Sequence, residues 1–253
     1  MITLLNGETY LKPEILPFME KDDFYYGHLG QHALSSSSLK TLLKSPKTYR
    51  NVLKYGSTDT PALTQGKLLH WMVLEPHKID KLNIVEASTK NTKVYKEAKA
   101  EHGEVYLRKE ISEAERLTDA LLRNEEVLKL LNKADFEVPE VAMLEELPFR
   151  AKADILRDDM IVDLKSSQDL SSFRFSANKY GYDLQAYLYL RMFNKKKCTF
   201  IVVDKSSTDI GIFETSEEFL ESGKHKFLQA VGIYKHFFQN ENDLDQYVLR
   251  GIL

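Results

Sequence analysis

The sequence predicts a mixed α/β fold (α/β or α+β), with a central mixed β-sheet flanked by helices. Three observations carry this. Five short strand-like runs follow one another between residues 136 and 214. Helical patterns precede them, interrupt them once and follow them, so helices are available to cover the sheet. The run Cys198-Thr199-Phe200-Ile201-Val202-Val203 is apolar on both faces, as an interior strand is.

The whole chain sets bounds. Its 253 residues, 43% hydrophobic and 29% charged, suffice for one large domain or two small ones with a real core. Lys and Arg number 35 against 38 Asp and Glu, a formal charge of −3. Any nucleic-acid contact must therefore come from a local patch. The single Cys198 excludes a disulfide framework and a four-cysteine zinc or iron–sulfur site within the chain. There is no apolar run of transmembrane length and no basic-then-apolar leader at the start. The expectation is a cytoplasmic, reducing compartment and no membrane partner.

Residues 1–33 read as an irregular segment, because Pro13, Pro17, Gly27 and Gly30 interrupt any period. Residues 34–253 read as a single domain: mainly helical over 34–135, sheet and helix over 136–214, closing helix and tail over 215–253. Ser35-Ser36-Ser37-Ser38 supplies caps before Leu39, Leu42 and Leu43 at helical spacing. Ser45-Pro46 is an N-cap and first helical position, and Gly56 ends that helix. A third helix covers 63–74 and stops at Pro76. On it Gly66 and His70 lie four apart, on one face. The glycine allows close approach of another backbone, while a lone helical histidine is more often a core residue than a ligand.

Residues 86–109 carry Lys90, Lys93, Lys96, Lys99, Arg108 and Lys109, interleaved with Tyr95 and Tyr106. They read either as a solvated connection or as a patch for DNA phosphates. Ser112 with Glu115 forms a capping box for a helix that buries Ala114, Leu117, Leu121, Leu128 and Leu131. A strand over 136–147 follows, with Glu140, Ala142 and Leu144 on one face. Glu140 is either a charge that protects a sheet edge or a third carboxylate for the strands that come next.

Those strands carry the chemistry. Residues two apart share a face. Phe149, Ala151, Ala153 and Ile155 therefore stand opposite Arg150, Lys152 and Asp154. After the polar turn Arg157-Asp158-Asp159, Met160, Val162 and Leu164 stand opposite Asp163 and Lys165. Two strands joined by so short a turn pair as a hairpin, which gathers two carboxylates and an ammonium. Hard oxygen ligands of this kind suit Mg²⁺ or Mn²⁺. An Asp-x-Lys is also an ordinary same-face pair on many solvated strands. Next to an interior strand, however, unpaired charge is expensive unless it is partnered or binds metal. A helix over 178–193 then places Gln185 and Tyr189 on one side. Ser216 caps a last helix to about residue 238.

In this order the motifs resemble the RecB-like branch of the PD-(D/E)xK nuclease superfamily, and within it the phage and prophage exonuclease VIII (RecE-like) family. The carrying residues are Ala33-Leu34-Ser35-Ser36-Ser37-Ser38-Leu39 with Ser45-Pro46, then Gly66-Lys67-Leu68-Leu69-His70 into Leu74-Glu75-Pro76. Asn91-Thr92-Lys93, the strand 150–154, Asp163-Leu164-Lys165 and the helix with Gln185 and Tyr189 continue it. The likeness spans residues 33–238. It implies a restriction-endonuclease-like core behind an N-terminal helical region, and a Mg²⁺-dependent exodeoxyribonuclease, with Mn²⁺ able to substitute. It implies that His70, Asp154, Asp163 and the carbonyl of Leu164 hold metal. Lys165 would orient or deprotonate the attacking water, Glu140 would support the site, and Gln185 and Tyr189 would steady the helix and contact DNA phosphate. Double-stranded DNA ends, a phage single-strand annealing protein and a ring-shaped homo-oligomer are the implied partners. Where iron–sulfur members carry cysteine, this chain has Ser45, so no cluster is expected. A structure-selective endonuclease of the same superfamily and an inactive DNA-binding module are the rival readings.

Overall fold

The computed structural model describes residues 1–57 and 60–249; residues 250–253 of the expected tail lie outside the described residues. Its centre is a five-stranded sheet, reached through a long helical prelude. The prelude comprises β1 (Ile2–Thr3), β2 (Thr9–Tyr10), α1 (Lys12–Met19), α2 (Leu29–His32), α3 (Ser36–Lys44), α4 (Pro46–Tyr55) and α5 (Pro61–Leu74). It continues with β3 (Ile84–Val85), α6 (Lys93–His102), β4 (Tyr106–Leu107), α7 (Arg108–Leu122) and α8 (Glu125–Leu131). The sheet and its cover are β5 (Asp135–Leu144), β6 (Leu147–Leu156), β7 (Met160–Ser167), α9 (Phe173–Lys179), α10 (Tyr182–Phe193), β8 (Lys197–Asp204), β9 (Ile210–Glu214) and α11 (Glu217–Tyr234).

The strands lie in sequence order, β5-β6-β7-β8-β9. Only β7 and β8 run parallel, from Met160↔Lys197 to Ser167↔Asp204. Parallel neighbours need a crossover, and α9 with α10 provides it. Alternation along β7 and β8 divides the core. Ile161, Cys198, Phe200 and Val202 join Leu39, Leu42, Leu184, Leu188 and Phe227 on one face. Val162, Leu164, Ile201 and Val203 join Leu69, Leu117, Leu121 and Val127 on the other. Helices therefore cover both sides of the sheet, and α5 and α10 approach it from opposite faces.

β6 and β7 pair at only two positions, Ile155↔Val162 and Leu156↔Ile161. Beyond them the hairpin splays. The edge of β6 that β7 vacates is taken up at its other end by Leu34, whose N–H donates to Pro148 O at 2.9 Å and whose carbonyl accepts from Arg150 N at 2.8 Å. The splay also breaks the expected alternation on β6. Phe149, Ala151 and Ala153 lie in the first core, but Ile155 lies in the second with its partner Val162. The switch falls at Asp154, opposite Glu137 of β5. Glu137 has φ +51, and the β5–β6 ladder skips that one pair.

Several local expectations are corrected. Residues 1–33 are not irregular: α1 accepts Pro13 in its first turn, where an N–H is unsatisfied anyway, and carries Pro17 inside it. Ile15, Met19, Tyr25 and Leu29 bury themselves on Val141 of β5, so tertiary packing outweighs the prolines. α7 begins four residues before the Ser112 box, with Glu110 accepting the N–H of Leu107 at 2.9 Å. The helix expected over 178–193 is two helices, parted by Gly181 at φ +66. Gly66 faces open space, and no backbone approaches it among the described residues. In the lysine-rich stretch, Tyr95 and Tyr106 are buried, not offered for stacking. Lys90, Lys93 and Arg108 pair with Glu110, Glu97 and Glu86.

α10, which carries Gln185, is set against α11 at one tight crossing. Asp183 is fully buried there, accepting from Ser222 Oγ at 2.7 Å and pairing with Lys226 Nζ at 2.6 Å. Gly223 lets the backbones meet, since a Cβ on it would stand 2.1 Å from the carbonyl oxygen of Asp183. Gly223→Ala gains about 1 kcal/mol of helix propensity. The clash is with backbone and cannot rotate away, so the expected net effect in urea denaturation is a loss of about 1–3 kcal/mol or more.

Candidate metal centre and catalytic cleft

The splay between β6 and β7 opens onto α5. Asp154 projects into the gap, and its Oδ2 accepts the backbone N–H of Leu164 at 2.8 Å. A carboxylate thus replaces the missing rung of the ladder. His70, on α5, points at the same gap. Its Nε2 lies 2.8 Å from Leu164 O. A carbonyl only accepts, so Nε2 donates, and in the neutral ring that tautomer leaves the lone pair on Nδ1. Nδ1 is the nitrogen that faces Asp154 Oδ2, at 3.6 Å. That is too long for a hydrogen bond and short enough for both atoms to reach one cation.

The third member of the group is Glu137. Ligand atoms of His70, Glu137 and Asp154 all lie within 4.8 Å of one another. Glu137 reaches the gap because its backbone takes a left-handed conformation, which costs a non-glycine residue free energy and recurs at functional sites. Burial, then the Asp154 and Glu75 carboxylates, push its carboxyl up to about 8. Carboxylates converge here, only partly offset by the Lys152 and Lys78 ammoniums, and the donors are two hard carboxylates with one imidazole. That set fits a divalent cation.

Glu140, the carboxylate expected from the sequence, is not part of the group. It accepts from Lys12 Nζ at 2.7 Å and from its neighbour's N–H, Val141 N, at 2.6 Å. The reason is register. The turn sets Leu144↔Leu147, and counting back puts Glu140 beside Ala151 and Glu137 beside Asp154. That count is available from the sequence once the Glu145-Glu146 turn is recognised. The Leu164 carbonyl, expected as a ligand, is engaged by His70 and acts as the partner that orients the imidazole.

Asp163 and Lys165 stand on the α10 side of β7. Asp163 is 2% exposed. Its Oδ1 accepts from Gln185 Nε2 at 2.7 Å, and its Oδ2 meets the Lys165 ammonium. Burial raises the Asp163 carboxyl above its ordinary value, opposed by Lys165 and reinforced by Asp154. Burial alone would lower the Lys165 ammonium, but Asp163 and Asp154 outweigh it and hold it above the usual lysine range. Its Nζ also lies 5.1 Å from the centre of the Tyr182 ring. Tyr189 is buried in the core, and burial, then Tyr25, Asp154 and Asp163, push its phenol well up. On the same strand as Asp154, Lys152 is 8% exposed and stands over the rings of Tyr25 and Tyr26.

No curated protein matches the chain. A candidate exonuclease from Eubacterium rectale is 17% identical and covers 97% of both chains, with a TM-score of 0.66; it shares the fold. A phage-related exonuclease from Haemophilus somnus is more distant, at 15% identity over 83% of this chain and 96% of that one, with a TM-score of 0.38. So is the alkaline exonuclease LHK-Exo from Laribacter hongkongensis, at 11% over 87% and 98%, TM-score 0.38. No helix among the described residues is long and apolar enough to cross a membrane. The model of the PDDEXK-like domain of unknown function DUF3799 matches residues 35–246, more than half of the chain, and this protein belongs to that family.

Proposed function

We propose that the chain is a divalent-metal-dependent DNA exonuclease that degrades linear duplex from its ends, 5′ to 3′, leaving a 3′ single strand. The observation that carries this is the meeting of His70, Glu137 and Asp154 beside the Asp163–Lys165 pair at one splayed hairpin. The candidate exonuclease of Eubacterium rectale, which has the same fold, agrees with it. Cytoplasmic action in phage-type recombination, a single-strand annealing partner and a ring-shaped oligomer around the duplex belong to the same reading.

In this reading His70, Glu137 and Asp154 hold Mg²⁺ or Mn²⁺, with Asp163 adjoining. The bound ion would neutralise phosphate charge and acidify a water. The protein's own residues do the rest. The Leu164 N–H keeps Asp154 facing the gap, and the Leu164 carbonyl keeps the His70 ring turned toward Asp154. Asp163 holds the Lys165 ammonium where a water attacking phosphorus can be oriented. Charge brought by a bound divalent ion would oppose the pull of the carboxylates on Lys165, and so would bring that lysine closer to the range of a base.

Three outcomes test the reading. Linear duplex labelled at the 5′ or 3′ end should be degraded with Mg²⁺ and not with EDTA, while closed circular duplex stays intact. Cutting of circles would make the enzyme an endonuclease, and no metal-dependent cleavage at high concentration would make it a binding module. Lys165→Ala should slow single-turnover cleavage by roughly two to four powers of ten at saturating Mg²⁺, and Lys165→Arg should not rescue it. A normal rate in Lys165→Ala would reduce the lysine to a structural partner of Asp163.

The third concerns pH. Glu137 has a folded value of about 8 against an ordinary 4.5. Between those values the folded state holds a proton that the unfolded state has released. Metal-free stability therefore falls as pH rises through that window. A divalent ion favours the ionised form, so the Mn²⁺-induced gain in Tm should grow between about pH 5 and pH 8. Glu137→Gln should flatten the metal-free profile and shrink the gain. A gain equal in both proteins would remove Glu137 from the metal centre.

A further inference from the structure

Asp163 depends on a side chain that itself has two ends. The amide of Gln185 donates through Nε2 to Asp163 Oδ1 at 2.7 Å. Rotated by half a turn, the amide would set its carbonyl oxygen against the carboxylate, and two acceptors would face each other in a buried site. Something must therefore fix which end points inward. Lys40, on α3 and 145 residues away in sequence, donates to Gln185 Oε1 at 3.2 Å. An ammonium has three donors and no acceptor, so it donates only to the carbonyl end of the amide and leaves the NH₂ for Asp163.

Lys40 is itself held in place. Its stem passes over Gly181, where an added Cβ would stand 3.3 Å from Lys40 Cγ. Its Nζ lies 5.2 Å from the centre of the Tyr182 ring, the ring that Lys165 also meets. Burial, followed by repulsion from Lys165, brings its ammonium down to about 8, so its place beside Lys165 is held at a cost. A lysine serving only solubility would extend into water, away from another cation.

We propose that Lys40 is a positioning residue of the catalytic cleft: it sets the orientation of the Gln185 amide and, through it, the carboxylate of Asp163. This rests on the nuclease reading for its catalytic consequence, but not for the contact itself. Lys40→Met keeps the stem and removes the donor. The expected result is a single-turnover rate roughly 10- to 100-fold lower, the range found when the partner of a site residue is removed, with KM for linear duplex unchanged. Lys40→Arg, which can still donate to the carbonyl, should recover most of the rate. In a Gln185→Met background, Lys40→Met should add nothing.

A second readout needs no activity. The side-chain amide signals of Gln185 in a ¹⁵N–¹H spectrum, identified by their loss in Gln185→Met, should shift and broaden in Lys40→Met and return in Lys40→Arg. Unchanged amide signals would overturn the proposal, as would penalties that add in the double variant. A raised KM with a normal rate would overturn it too, making Lys40 a direct contact of substrate. If the wild-type protein cleaves no DNA, the nuclease reading falls while the amide spectra still decide the role of Lys40.

Discussion

The rest of the molecule is arranged around one hydrogen bond, the backbone N–H of Leu164 to the carboxylate of Asp154. It stands where a rung between β6 and β7 would be. A buried backbone N–H without a partner is costly, so the strands can part only because a side chain supplies the acceptor. Once they part, there is a gap in the sheet deep enough for charged groups and open enough for α5 to bring His70 in. Leu34 closes the vacated edge of β6 further along, which keeps the opening local.

Charge inside this gap is managed by pairing and by backbone strain. On the α10 side, Asp163 has Gln185 on one oxygen and Lys165 on the other, so a nearly inaccessible carboxylate is partnered throughout. On the α5 side, Asp154 has the Leu164 N–H, while Glu137 approaches it from a left-handed backbone with the Lys152 and Lys78 ammoniums only partly offsetting the repulsion. Folding alone gains nothing from bringing two carboxylates together at the end of a strained strand. A cation would compensate both the repulsion and the strain. The two halves of the cleft are thus complementary: one is neutralised by the protein and the other asks for an ion.

The helices on the two faces have different duties. α5 presses its apolar side onto Val162, Leu164 and Ile201, which fixes His70 against the gap. α10 is pinned by Asp183 and Gly223 to α11 and by Lys40 to α3, which fixes Gln185. Neither histidine nor glutamine is carried by a loop, so the positions of both follow from core packing.

Much of this was legible in the residues. The apolar run at β8 and the turns on either side of β6 specify an ordered sheet, because strand periodicity and turn chemistry are local properties. The caps at Ser35, Ser45 and Ser216 were legible for the same reason. Asp154, Asp163 and Lys165 stood out because charge on strands beside an interior strand needs a reason. The N-terminal helices are not legible in the sequence, because their prolines speak against a helix locally and only burial against Val141 overrides them. Glu140 stands out on the sequence as a strand carboxylate, but the register set by the turn at Leu144↔Leu147 places it beside Ala151 and brings Glu137 to Asp154. Sequence by itself determined which residues could form strands, helices and a metal-binding chemistry. The tertiary structure decided that the opening between β6 and β7 is flanked by Leu34 and entered by His70, since both come from segments far from these strands in the chain.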